Sequence, residues 1–135
     1  MSDSKAMDTI KYFMEDDIVS VDTNATVHDT VQLMNEKRIG AVLVSEGDDY
    51  KGIFTETDLL RKVIAPGTSP ADVKVHTVMS SPLQMIDCES TMVAAFIIMQ
   101  QKNIRHLAVT QKKKVIGILS IKDIANYYVN KFRPK

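Results

Sequence analysis

Two short segments of the sequence place a hydroxyl three residues before a carboxylate. They are Thr55-Glu-Thr-Asp58 and Ser120-Ile-Lys-Asp123, and each follows an apolar stretch that begins with glycine. Such a carboxylate can accept two hydrogen bonds from a vicinal diol such as a ribose. The hydroxyl and the free N–H groups at a helix start can hold a phosphate or a second hydroxyl. The spacing is also that of an ordinary helix capping box, so the pattern alone leaves a binding role and a structural role open.

The two segments occupy equivalent points of an internal repeat. Residues 14–65 align with residues 79–130 at a constant offset of 65 without a gap, and ten positions are identical. Each copy predicts the order strand, helix, strand, strand, helix, with the first helices starting near Thr26 and Thr91. One copy is too short to bury a core alone. We therefore predict an α/β (α+β) fold in which the two copies pack their sheets together about a pseudo-twofold axis, with one cleft per copy.

Breaker residues and the repeat together set the expected segments. Pro66-Gly67 cannot continue a helix, so a linker begins there. Met7, Ile10 and Met14 have helical spacing and predict a leading helix before the first repeat. The expected segments are a leading helix (1–13), a first repeat (14–65), a linker (66–78), a second repeat (79–130) and a basic tail (131–135).

Charge and residue types argue against several classes of protein. Seventeen basic and seventeen acidic residues cancel, and there is no Trp, so the sequence offers little to a nucleic acid. We interpret Lys112–Lys114 as a solvated turn rather than a nucleic-acid patch. The sequence carries no metal-ligand spacing, nucleophile–base pair or phosphate-binding loop. We expect no catalytic residue, no metal and no enzymatic activity.

The segment Met92–Met99 is the longest unbroken apolar run. It is far shorter than the roughly 20 residues that a membrane-spanning helix needs. We expect a cytoplasmic protein that does not enter membranes. A helix that is apolar all round is buried on more than one side, so this helix is either deep core or, with Phe96 outward, a homodimer interface.

The repeated motif resembles the signature of CBS (cystathionine β-synthase) domains. Both Gly52-Ile-Phe-Thr55-Glu-Thr-Asp58 and Gly117-Ile-Leu-Ser120-Ile-Lys-Asp123 are similar to its glycine–apolar–apolar–Thr/Ser–x–x–Asp pattern. The segments that open at Met14 and Met79 resemble the start of that family's repeat. The resemblance covers about residues 10–130 and implies a CBS pair, or Bateman module.

Such a pair is implied to bind an adenosine-containing ligand: AMP, ADP, ATP, S-adenosylmethionine or NAD. The resemblance assigns the ribose to Asp58 and Asp123, supported by Thr55 and Ser120. The first cleft is expected to hold a phosphate and to comprise Thr55, Asp58, Ile53, Arg105, His106 and Lys122. The second is expected to suit an uncharged ligand and to comprise Ser120, Asp123, Ile118, Ile39, Gly40 and Ala41. Val19 and Val21 are expected to wall the adenine.

Three functions remain to be distinguished. The leading hypothesis is a regulatory sensor whose conformation or assembly changes on ligand binding and is read by a separate, unknown target protein. The alternatives are a structural dimerisation module that binds no ligand and a nucleic-acid-binding module.

Overall fold

The computed structural model describes residues 8–134, in which the predicted order of elements occurs twice. This confirms the tandem α/β repeat. The first copy comprises β1 (Ser20–Asp22), α1 (Val27–Lys37), β2 (Ala41–Glu46), β3 (Asp49–Thr55) and α2 (Glu56–Leu59), which continues as a π-helical turn over Leu60–Ile64. The second comprises β4 (Met85–Asp87), α3 (Met92–Lys102), β5 (His106–Gln111), β6 (Lys114–Ser120) and α4 (Ile121–Phe132).

The two sheets have the same topology. In the first, β2 is central and pairs parallel with β1 and antiparallel with β3; in the second, β5 takes the same place between β4 and β6. The parallel pairs arise because a helix crosses between their strands, whereas a tight turn joins the antiparallel pairs. This topology places the last residue of β3, Thr55, beside the first residue of β2, and Ser120 beside the first residue of β5.

The crossing helices begin and end at residues that satisfy their free backbone groups. Thr26 accepts a hydrogen bond from Asp29 N–H at 3.0 Å, and Thr91 accepts one from Ala94 N–H at 3.1 Å. Both helices therefore start where the sequence predicts. They end at Arg38 and Asn103, whose φ values of 57° and 53° are left-handed and turn the chain into the next strand.

The chain divides into two compact units, and each joins one repeat to a segment from elsewhere in the sequence. One comprises residues 19–83, and the other comprises residues 8–18 with residues 84–134. The segment 73–80, which the sequence assigns mainly to the linker, packs on the first repeat, and the segment 8–15 packs on the second. The two segments are themselves related by the offset of 65, so the structural repeat begins earlier than position 14.

Backbone hydrogen bonds hold each segment in the same way. Val75 N–H donates to Ala25 carbonyl at 2.8 Å, and its counterpart Ile10 donates to Ser90 at 2.9 Å. Within residues 8–15 only the 3-10 turn Ile10–Tyr12 is helical, and isolated bridges at Thr9 and Glu15 flank it. The described part of the predicted leading helix is therefore no α-helix. Residues 1–7 lie outside the described residues.

A glycine in each second hairpin strand allows its segment to approach the sheet. Ile53 and Ser80 exchange backbone hydrogen bonds of 3.0 and 2.8 Å, as Ile118 and Glu15 do at 2.9 and 2.8 Å. A Cβ atom on Gly52 would lie 2.6 Å from the carbonyl oxygen of Ser80, and one on Gly117 would lie 2.6 Å from that of Glu15. The glycine that both copies of the motif share is thus a requirement of packing.

Each unit has its own apolar core. The core of residues 19–83 contains Val27, Met34, Val42, Val44, Phe54, Val63 and Val75. That of the other unit contains Ile10, Ile86, Cys88, Met92, Ala95, Met99, Leu107, Val109, Leu119, Ile124 and Tyr127. Among residues 8–134, no helix has the length and apolar character needed to cross a membrane.

Candidate functional site

The two repeated motifs both form helix capping boxes. Thr55 is the N-cap of α2, its hydroxyl accepts from Asp58 N–H at 3.2 Å, and the Asp58 carboxylate accepts from Thr55 N–H at 3.1 Å. Ser120 and Asp123 make the same pair of bonds at 3.1 and 2.9 Å. The capping role is therefore real in both copies, and a binding role depends on the acceptor capacity that capping leaves unused.

The Asp58 carboxylate has no acceptor capacity left. Its Oδ2 accepts from the backbone N–H and the hydroxyl of Thr55, the latter at 3.2 Å. Its Oδ1 accepts from the hydroxyl of Ser80 at 2.8 Å and lies 2.9 Å from Lys62 Nζ. Four donors match the approximately four lone-pair sites of a carboxylate. Asp58 is also only 4% exposed.

The Asp123 carboxylate accepts fewer hydrogen bonds within its own unit than the Asp58 carboxylate does. Its Oδ2 accepts from Ser120 N–H at 2.9 Å, and its Oδ1 accepts no hydrogen bond from the described residues of that unit. The difference follows from the sequence. Tyr127 and Glu15 stand at the repeat positions of Lys62 and Ser80, and neither supplies a donor to Asp123. The Asp123 side chain is partly exposed.

A pocket of about 650 Å³ lies beside Asp123 and is built entirely within this unit. One face of α4 and the opening segment form its walls. Phe13 and Tyr127 meet edge to face there, with ring centroids 4.7 Å apart. Small-molecule sites typically enclose about 300–1,000 Å³, with apolar walls and a few polar groups. The lining residues are Asp8, Tyr12, Phe13, Asp123, Asn126, Tyr127, Asn130 and Lys131.

The residues expected to carry the phosphate lie in the unit of Asp123, not in that of Asp58. His106 pairs with Ser120 across β5 and β6, and the Arg105 carbonyl accepts from Ile121 N–H at 2.8 Å. The side chains of Arg105 and Lys122 are exposed, and His106 is partly buried. Their predicted grouping with Thr55 and Asp58 spans both units and stays a prediction.

The residues expected at the second cleft are divided in the same way. Ala41 pairs with Thr55 across β2 and β3, and the Gly40 carbonyl accepts from Glu56 N–H at 3.0 Å. Ile118 lies with Asp123 and forms the bridge to Glu15. Gly40 and Ala41 therefore contact the Thr55 motif of their own unit. Their predicted grouping with Ser120 and Asp123 stays a prediction.

The predicted apolar walls contribute to the core of residues 19–83. Val19, Val21 and Ile39 are partly buried and pack against that core. Ile53 is buried, and its backbone bridges Ser80. These side chains lie in the same unit as the Thr55 motif, and their contact with an adenine stays a prediction.

Sequence reasoning missed Lys62, Ser80 and the aromatic pocket. An aspartate followed four residues later by a lysine on a helix is a recognisable ion-pair spacing, so Lys62 had a signal. Ser80 had none, because its contact depends on which repeat its segment packs against. Lys112 and Lys113 form an exposed turn as predicted, whereas Lys114 is the first residue of β6.

Cys88 is the only cysteine and is buried in the core of its unit. The pKa of its thiol is raised above the ordinary value, mainly by burial and to a lesser extent by the nearby Asp87 and Glu89 carboxylates. A protonated, buried thiol is a poor nucleophile. In the part of the chain that the structure describes, no three His, Cys, Asp or Glu side chains cluster as a metal site would require.

Comparison with known proteins decides the family. The family model described as "CBS domain" matches residues 10–65 and again residues 75–130. The chain belongs to the CBS-domain family. The matched segments include the opening segments of both repeats, in agreement with the structural repeat that begins before position 14.

Individual relatives of this CBS pair support the same assignment. The mitochondrial CBS domain-containing protein CBSX3 of Arabidopsis thaliana is 34% identical over 82% of the chain and 56% of its own length. The chain spans just over half the length of the first curated relatives that it matches. A solved protein with CBS domains from Burkholderia ambifaria is 32% identical, with a TM-score of 0.85 over 89% of this chain and 88% of its own.

A more distant structure shares the fold of the CBS pair. The CBS domain pair of protein MJ0100 is 18% identical, with a TM-score of 0.81 over 91% of this chain and 97% of its own. That protein was solved in complex with 5′-methylthioadenosine and S-adenosyl-L-methionine. At this identity the likeness concerns the fold alone.

Proposed function

We propose that this CBS pair is a regulatory module that binds an adenosine-containing ligand, and that Asp123 holds the ribose hydroxyls. The observation that carries the proposal is the unused Oδ1 of Asp123 at the edge of a pocket of ligand size. One carboxylate oxygen has two acceptor sites, which suits the two hydroxyls of a ribose. The other oxygen is fixed by Ser120, so the carboxylate is already oriented.

The remaining walls of the pocket suit the base of the same ligand. Tyr12 lines the pocket and is 59% exposed, so it presents ring surface to a planar group. Tyr127 is buried and supports this wall by packing edge to face against Phe13. Asn126 and Asn130 lie one helical turn apart on the same face of α4 and offer amide donors and acceptors. The pocket therefore combines the three chemical features of a nucleoside site: a diol acceptor, aromatic surface and amide groups.

The ligand class extends to AMP, ADP, ATP, S-adenosylmethionine and NAD. The adenosine compounds held by the distant CBS pair MJ0100 make adenosine derivatives the first compounds to test. We propose that the Asp58 motif, with Arg105, His106 and Lys122, forms a second site for phosphorylated members of this class. Binding regulates a separate target protein if the ligand prefers one conformation or assembly of the module over another.

Calorimetric titration with adenosine and AMP tests the proposal when wild type and Asp123→Asn are compared. The asparagine oxygen can still cap Ser120 N–H, but an NH₂ group, which cannot accept a hydrogen bond, replaces Oδ1. We expect adenosine binding to weaken at least tenfold. Asp48→Asn, an exposed turn substitution, is the matched control and should bind as wild type does. Equal affinity in all three proteins would contradict the role of Asp123.

We further propose that the exposed face of α3 joins two copies of the chain. Met92, Ala95 and Met99 are buried on one side of this helix, whereas Val93, Phe96 and Ile97 are 53%, 41% and 49% exposed. Three neighbouring apolar side chains on one exposed face are typical of an interface between identical subunits. This face also favours the alternative of a dimerisation module without a ligand.

Light scattering coupled to size-exclusion chromatography tests the interface. We expect wild type to elute as a dimer and Phe96→Glu as a monomer, because the substitution places a charge in the apolar contact. Gln32→Glu adds the same charge at an exposed position of a different helix, α1, and should leave the dimer intact. A dimeric Phe96→Glu protein would contradict this interface. A dimer that binds no adenosine compound would favour the alternative function.

A further inference from the structure

Lys62 is the residue that most distinguishes the Asp58 motif from the Asp123 motif. Its ammonium group lies 2.9 Å from Asp58 Oδ1 and donates to the carbonyl of Val78 at 3.1 Å. It therefore connects the motif carboxylate with the segment that packs on the first repeat. The Lys62 side chain is 44% exposed, whereas that of Asp58 is 5% exposed.

Because of this arrangement, a ligand that hydrogen-bonds to the Asp58 carboxylate must first displace a residue already bound to it. A neutral diol can reach Oδ1 only by displacing Lys62, Ser80 or both, since all four acceptor sites are filled. Displacement by a neutral ligand leaves the ammonium without its anionic partner. A phosphate can replace that partner, because the lysine side chain is flexible and forms charge-assisted hydrogen bonds with phosphate.

We propose that Lys62 is a specificity-determining residue. It prevents neutral adenosine-type diols from binding to the Asp58 carboxylate and allows adenosine derivatives that carry a phosphate to bind there. The inference rests on the proposed function of the module as an adenosine-binding protein. The Asp123 motif has Tyr127 at the equivalent position and imposes no such condition. The two motifs thus select different members of one ligand class.

The test isolates the Asp58 site in an Asp123→Asn background. Adenosine and AMP are titrated calorimetrically into this protein and into versions that also carry Lys62→Met or Lys62→Arg. With Lys62 present, we expect AMP to bind at least tenfold more tightly than adenosine. Lys62→Met should bring adenosine binding to within about threefold of AMP binding, and Lys62→Arg should restore the preference because it keeps the charge.

Two further variants establish where binding occurs and whether the loss of any lysine has the same effect. Asp58→Asn in the same background should abolish the remaining AMP binding. Lys51→Met removes an exposed lysine of the same unit and should leave the AMP preference unchanged. Thermal unfolding by circular dichroism confirms that each variant is folded before it is titrated.

The outcomes separate this inference from the proposed function. If wild type binds adenosine through Asp123 but Lys62→Met leaves the ratio of AMP to adenosine affinity unchanged at the Asp58 site, the role of Lys62 is refuted and the proposed function stands. Absence of AMP binding in the Asp123→Asn background also refutes the role of Lys62. If folded wild type binds neither adenosine nor AMP, both the proposed function and this inference are refuted.

Discussion

Replacing Gly52 or Gly117 by alanine should destabilise the unit that contains the glycine. An added Cβ would lie 2.6 Å from a backbone carbonyl oxygen, of Ser80 or Glu15 respectively, and close to a methionine sulfur. The carbonyl belongs to a segment held by a reciprocal pair of hydrogen bonds with the residue after the glycine. The segment must therefore retreat by several tenths of an ångström and weaken both bonds.

The size of the effect follows from these contacts. Two backbone hydrogen bonds contribute about 0.5–1.5 kcal/mol each, and overpacking a closely packed site costs about 1–3 kcal/mol. We expect each substitution to lower the free energy of unfolding by about 1–3 kcal/mol, because the two estimates describe one displacement. At roughly 4 °C per kcal/mol for a chain of this size, the Tm should fall by about 4–12 °C.

Thermal unfolding followed by circular dichroism measures this change. Gly40→Ala is the matched control, because its Cβ would meet only the flexible end of the Glu56 side chain, at 3.1 Å. It should shift the Tm by less than about 2 °C. Gly52→Ala and Gly117→Ala proteins that melt within 2 °C of wild type would refute the packing of segments 8–15 and 73–80 on the sheets.

Three further predictions follow from local structure. Thr26→Ala removes the cap of α1 and should lower the stability by about 1 kcal/mol in chemical denaturation, whereas Thr57→Ala, at an exposed position, should change it little. Because burial raises the pKa of the Cys88 thiol, its reaction with a disulfide reagent at pH 8 should be at least tenfold slower in the folded protein than in urea; equal rates would contradict its burial. Lys113 has a φ of 69°, so Lys113→Gly should raise the stability by about 1 kcal/mol, whereas Lys114→Gly in β6 should lower it.

The repeat and its helix starts were predictable from the sequence because they depend on local patterns. An offset of 65 without a gap defined the two copies, and Thr26, Thr91, Thr55 and Ser120 each precede a helix by the spacing of a cap. The position of the opening segments was not predictable in this way. Met14 and Met79 are equivalent in sequence, and nothing local determines which sheet each segment will cover.

The candidate site was predicted only at the level of its motifs. Asp58 and Asp123 are identical in type and spacing, yet one is saturated and the other is not. Part of the difference is local, since Lys62 follows Asp58 at helical spacing while Tyr127 follows Asp123. The other part depends on Ser80 and Glu15, which reach the motifs only after the segments have packed. The sequence therefore identified both carboxylates. It could not show which of them retains a free acceptor site, because that depends on contacts made only in the folded protein.

Nuclear magnetic resonance titration of the isotopically labelled 15.1 kDa chain with adenosine directly tests whether Asp123 holds the ribose. We expect the largest shift changes on the amides of Ser120–Asp123 and of Tyr127, and we expect Asp123→Asn to remove them. Shift changes confined to other residues, or no changes at millimolar adenosine in the folded protein, would contradict a ribose site at Asp123.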